Sequence, residues 1–99
     1  MIRKILGSTI AIVGGGRACK AFLEFLLDDT FSGHRPEILG VADINQNAVG
    51  VRHARSLGIP TFADYTEFYK LEGLETLLEL TDSHAIIETI RDTKPPAVR

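Results

Sequence analysis

Three consecutive glycines, Gly14, Gly15 and Gly16, stand between a short apolar run and a stretch of helical periodicity. Glycines at such a strand-to-helix junction suit phosphate binding. The first permits a sharp turn, and the second lets the backbone approach a pyrophosphate without a Cβ in the way. The helix that follows offers unpaired N–H groups and a partial positive charge. The dinucleotide fingerprint G-x-G-x-x-G accepts glycine or alanine at its third position. Gly14 and Gly16 fill the first two places and Cys19 the third. That third place serves helix–strand packing, and cysteine is a compact apolar residue when buried. A slight outward shift of the helix would accommodate it. The loop therefore reads either as a pyrophosphate cradle or as an empty tight turn. Arg17 reads as a phosphate contact or as a solvated arginine. Cys19 reads as a packing residue or as a thiol activated by the helix N-terminus.

Asp43 closes "GVADIN", 24 residues after Cys19. In NAD-binding domains an acidic residue here accepts hydrogen bonds from the adenosine ribose hydroxyls. Its charge would repel a 2′-phosphate, which favours NAD over NADP, although Arg52 and Arg55 could offset it. The competing role is capping of the next turn, a common use of aspartate. Thr81 and Asp82, in "ELTDSH", lie where the fourth strand should end, and ligands of open α/β sheets bind along that edge. They read as the nicotinamide-side border or as helix caps. Glu79, inside an apolar strand, would face water at a sheet edge. His84 reads as a proton donor or as a structural residue. His34, His53 and His84 show no metal-ligand spacing, and no Ser/His/Asp set or carboxylate pair stands out. Neither a catalytic set nor a metal site is assigned.

These residues need a scaffold, and the periodicity supplies one. "STIAIV" (8–13) is nearly continuous in apolar residues, as strands buried on both faces are. From Arg17 to Asp28 the period changes, with Ala18, Ala21, Phe22, Phe25 and Leu26 at helical spacing. "ILGVAD" (38–43) is a second strand. A second helix spans 48–57 with Val51, Ala54 and Leu57 inward; Gly50 weakens its first turn and Gly58 suits its stop. "IPTF" (59–62) is a third strand. Asp64 and Glu67 form a capping box for a short helix carrying Tyr65, Phe68 and Tyr69, read as core rather than as a stacking platform. "ETLLEL" (75–80) is a fourth strand. Ile86, Ile87 and Ile90 mark a last helix, which Pro95 and Pro96 end. Alternating β-α units imply a Rossmann-like doubly wound α/β fold, a parallel sheet ordered 3-2-1-4 with helices on both faces.

The chain of 99 residues fits one domain, and its 44% hydrophobic and 24% charged residues fit a globular one. A net charge of −2 gives no bulk electrostatic case for nucleic acid. No segment approaches the ~20 apolar residues of a membrane span. The basic, apolar start is interrupted by Gly7, Ser8 and Thr9, with no cleavage site, and reads as a lead-in to the first strand. Cys19 is the only cysteine, which forbids an internal disulfide and suits a reducing cytoplasm. The β-α pattern stops where a fifth strand would begin, so the domain is expected to be an N-terminal fragment of a longer protein.

Four segments, "AIVGGGRACKAFL", "LGVADIN", "ARSLGIPTFADYTEF" and "LLELTDSHAIIETIRDTKPP", carry a resemblance. Together they resemble small Rossmann-like domains at the N-terminus of bacterial sensor histidine kinases, ahead of PAS and kinase modules. More broadly, the chain is similar to the N-terminal domain of the oxidoreductases that include glucose-fructose oxidoreductase and inositol dehydrogenase. Asp43 matches their acidic residue. "TDSH" (81–84) resembles their "T-P-x-x-H" turn, with Asp82 for proline. Their catalytic lysine follows a fifth strand, so that chemistry is not carried over. The kinase resemblance implies a cytoplasmic sensory module of a two-component phosphorelay. It would bind a dinucleotide such as NAD(H) through Gly14, Gly15, Gly16, Arg17, Asp43, Thr81 and Asp82, and signal to downstream PAS and kinase modules, with a homodimer compatible. The alternatives are the cofactor half of an NAD(P)-dependent oxidoreductase, or a ligand-free Rossmann-like interaction domain.

Overall fold

The computed structural model describes residues 9–26, 36–81 and 83–99. The lead-in before Thr9, most of the connection after Leu26, and Asp82 lie outside the described residues. Four strands, β1 (Thr9–Val13), β2 (Glu37–Ala42), β3 (Thr61–Phe62) and β4 (Thr76–Glu79), pair in parallel in the order β3-β2-β1-β4. Helices α1 (Arg17–Leu26), α2 (Val49–Ser56) and α3 (His84–Thr93) and a 3₁₀ helix (Tyr65–Lys70) follow the strands in turn. This is the doubly wound α/β sheet the alternation predicts.

Side chains alternate across a strand, and β1 divides its residues accordingly. Ile10 and Ile12 pack with Cys19, Leu23, Val51 and Ala54 beneath α1 and α2. Ala11 and Val13 pack with Phe68, Ile90 and Val98 beneath the 3₁₀ helix and α3. With both faces covered, β1 must be apolar throughout. The pairing register shifts once, between Ile10 and Ala11, and then places Val13 beside both Ala42 and Glu79. The carboxyl ends of the strands thus open at one level.

Three details differ from the periodicity. The buried face of α1 is Cys19, Leu23 and Leu26, whereas Ala18 and Ala21 are exposed and Phe25 is 47% exposed. Counting Cys19 as apolar rotates the stripe by one position. Leu57 is 41% exposed because α2 ends at Ser56 and Gly58, at φ +78°, turns the chain away. The capping box is half formed. The Asp64 carboxylate accepts the Thr66 N–H, but Glu67 faces Lys70 at 3.8 Å and the turn winds as a 3₁₀ helix.

At the far edge the backbone of Arg99 pairs with β4. Its N–H donates to the Glu75 carbonyl at 2.9 Å, and its own carbonyl accepts from Leu77 N–H at 2.6 Å. This is the bonding pattern of a parallel neighbour, at the place where the pattern predicts a fifth strand. Among the described residues no helix is long and apolar enough to cross a membrane.

Candidate functional site

The aligned strand ends open onto a cavity of about 430 Å³. It lies in the crevice that doubly wound sheets use for ligands. Gly14, Asp43 and Thr81 all line it, at the ends of β1, β2 and β4. The structure thus brings together three of the residues singled out in the sequence from positions far apart in the chain.

Each glycine of the loop has a different reason to be there. Gly14 has φ +108°, and a Cβ on it would lie 2.8 Å from the Thr81 methyl, so the turn itself requires glycine. A Cβ on Gly15 would lie 2.3 Å from Cγ2 of Val51, so Gly15 is where α2 closes on the loop. A Cβ on Gly16 would meet nothing within 4 Å among the described residues. Neither the turn nor the packing demands glycine at Gly16, and that is the position where a phosphate would approach.

The donors follow the same division. The Gly14 N–H donates to the Ala42 carbonyl at 2.8 Å, and the Gly15 N–H to Oδ2 of Asp43 at 2.9 Å. The first helical bond runs from Lys20 N–H to the Gly16 carbonyl. Ahead of it, the N–H groups of Gly16, Arg17 and Ala18 have no acceptor among the described residues, as at any uncapped helix start. Arg17 is exposed beside them.

Cys19 is fully buried, and the accommodation comes from α2. A Cβ on Gly50 would lie 2.8 Å from the Cys19 Cβ and 2.5 Å from the carbonyl oxygens of Gly15 and Gly16. Gly50 therefore supplies the close approach that the fingerprint's third glycine normally provides, and Gly50 was the functional glycine the sequence reading missed. Burial, and then the negative charge of Asp43, push the Cys19 thiol up to about 11. That opposes the thiolate chemistry a helix N-terminus can promote.

Asp43 fulfils the capping role. Oδ1 accepts the Asn45 N–H at 2.8 Å while Oδ2 holds Gly15. The carboxylate still borders the cavity, and each oxygen keeps a further lone pair, so the capping role leaves room for a ribose contact. Arg55 reaches instead to the Gln46 carbonyl at 3.3 Å. Arg52 lines a separate concavity with Lys20, Val49 and His53, and neither arginine lines the cavity. Its charged lining residues are both acidic, Asp43 and Asp64. The Asp64 carboxyl is held below its usual range by hydrogen bonds from the Thr66 backbone and side chain.

Thr81 borders the cavity, its methyl group beside Gly14. Its hydroxyl donates to Oε1 of Glu79 at 2.7 Å and accepts the Ser83 N–H, while its own N–H also donates to Glu79. Glu79 thus folds back to brace the turn and is half-buried rather than turned to water. Ser83 caps α3 by accepting the Ile86 N–H, and His84 is exposed. Asp82 is not described. Further lining residues were not read as part of the site, among them Ile44, 89% exposed, the half-buried Tyr65, read as core, and Ile86, read as a helix marker. Ile44 and Tyr65 follow a strand end within three residues, which is the signal that could have found them, whereas Ile86 sits in the first turn of α3. Phe68 is fully buried core, as read.

No protein-family model, curated protein or solved structure matches this chain. The cavity lining is largely apolar, with the carboxylates of Asp43 and Asp64 at its border; of the glycine loop only Gly14 lines it, and Gly15, Gly16 and Arg17 do not. Among the described residues no group of three or more His, Cys, Asp or Glu side chains could hold a metal ion.

Proposed function

We propose that this chain binds a dinucleotide of the NAD(H) type and serves as a regulatory, non-catalytic domain, the role implied by its resemblance to the kinase-linked domains. The observation that carries the binding reading is the free edge of the glycine loop. N–H groups without acceptors among the described residues stand at a helix start, beside the one glycine of the loop at which a Cβ would meet nothing within 4 Å. Those donors match a pyrophosphate. Asp43 would accept from ribose hydroxyls, and Ile44, Tyr65 and Ile86 supply apolar surface for a flat base. With acidic and no basic charged residues lining the cavity, a 2′-phosphate is disfavoured, which supports NAD over NADP.

A ligand-free interaction domain is the second reading. It is favoured by the Gly15 N–H, which the protein already satisfies through Asp43. Calorimetric titration with NADH, NAD, NADPH and coenzyme A separates the two. Saturable heat with NADH, weaker with NADPH, supports nucleotide binding; no heat and no melting shift with any of them supports the second reading. The regulatory role is tested on the parent gene. PAS and kinase segments after this domain support it, and a substrate domain with a catalytic lysine supports an oxidoreductase instead.

A further inference from the structure

A second concavity lies away from the crevice, on the seam between α1 and α2. It encloses about 320 Å³ and is lined by Lys20, Val49, Arg52 and His53. Three of these four side chains carry nitrogen, in a protein whose net charge is −2. Helix periodicity brings them together: Val49, Arg52 and His53 share one face of α2, and Lys20 comes from the facing turn of α1.

These groups are poorly matched by the protein itself. The Arg52 side chain has no hydrogen-bond or ion partner among the described residues. Lys20 has one, Glu24 at 4.0 Å, with both side chains about half exposed, a weak pairing in water. Nε2 of His53 is buried and has no hydrogen-bond partner. Buried polar atoms in native proteins are nearly always paired, and an exception calls for a water or an ion. One cation without a side-chain partner, one weakly paired cation and an orphaned imidazole nitrogen meet at one groove, and a compact anionic acceptor would answer all three.

From this we infer that the α1–α2 groove is an oxyanion site, taking the phosphoryl group of a small phosphorylated ligand. Lys20 and Arg52 supply the charge, Arg52 through its planar pair of donors. His53, whose Nε2 is closed to solvent in the unliganded chain, turns its ring to donate, and Val49 is the apolar member of the lining. The site is independent of the nucleotide reading, since its residues do not line the crevice.

The test is a titration of the intact chain with inorganic phosphate, followed by ¹H–¹⁵N spectra that include the His53 ring. Saturable shifts at Lys20, Val49, Arg52 and the His53 imidazole are expected. Arg52→Ala and Lys20→Ala should each weaken binding about tenfold, the loss of one charge-assisted hydrogen bond, with unchanged melting temperature. His53→Gln, which keeps a donor, should weaken it less than His53→Ala. Shifts confined to Gly16, Arg17 and Ala18 would place phosphate on the glycine loop and overturn the inference. So would a His53 ring unmoved at saturation, or equal affinity in all the variants. A parallel arm uses vesicles of anionic phospholipid: binding there without binding of free phosphate would mean that a membrane surface, not a small ligand, is recognised, and would also overturn it.

Discussion

At the scale of single residues, the glycine loop separates what the fold needs from what a ligand needs. Gly14 answers to backbone conformation, Gly15 to the side chain of Val51, and Gly16 to neither. Gly16→Ala should therefore melt at or slightly above the wild-type temperature, since it also restricts the unfolded chain. Asp43 has two duties, and substitution should expose both. Asp43→Ala leaves the Gly15 and Asn45 N–H groups unpaired and should cost about 2 kcal/mol in denaturant unfolding. Asp43→Asn keeps an acceptor but removes the charge, so the preference for NADH over NADPH should narrow in paired titrations. Cys19 gives a pH signature. Its folded value of about 11 lies above its ordinary value of 9.0. The folded state thus holds the proton longer, so stability from this group is intact below pH 9.0 and is lost as pH rises toward 11. The loss is about 2–3 kcal/mol, and Cys19→Ala should abolish that part of the pH profile. Native Cys19 should also react slowly with thiol reagents at neutral pH.

At the scale of elements, the seam between α1 and α2 replaces the missing third glycine. Sequence periodicity marks Gly50 only as a weak point in a helix, because propensity sees one chain segment at a time. Its real role depends on two carbonyl oxygens and Cys19, all from a segment more than thirty residues away. Gly50→Ala, favourable by helix propensity alone, should instead destabilise by about 1–3 kcal/mol, because α2 must move off the loop. Denaturant unfolding checks the sign. Strand existence, order and the two-sided burial of β1 were legible in the sequence because they follow from period and length. The phase of α1 was not, since Cys19 is ambiguous between polar and apolar until its neighbours are known. The 3₁₀ form of the Tyr65–Lys70 turn was also out of reach, because Glu67 chooses Lys70 over the Asp64 backbone.

At the scale of the whole molecule, a regular α/β sheet sets its strand ends level, and a largely apolar crevice opens along them. Gly14, Asp43 and Thr81 were readable as its border because each follows a strand. Their detailed roles were not, since the methyl face of Thr81 and the double use of Asp43 come from side-chain bonds formed only in the assembled sheet. On the proposed reading, the free edge of the glycine loop holds a nucleotide phosphate. The most direct test is NADH titration of the wild-type chain and of Gly16→Val by calorimetry, with the melting temperature of each measured alongside. Saturable one-to-one binding to the wild type is expected, with its loss in a variant that melts like the wild type. Equal affinity in both proteins, or no binding to the wild type, would contradict it.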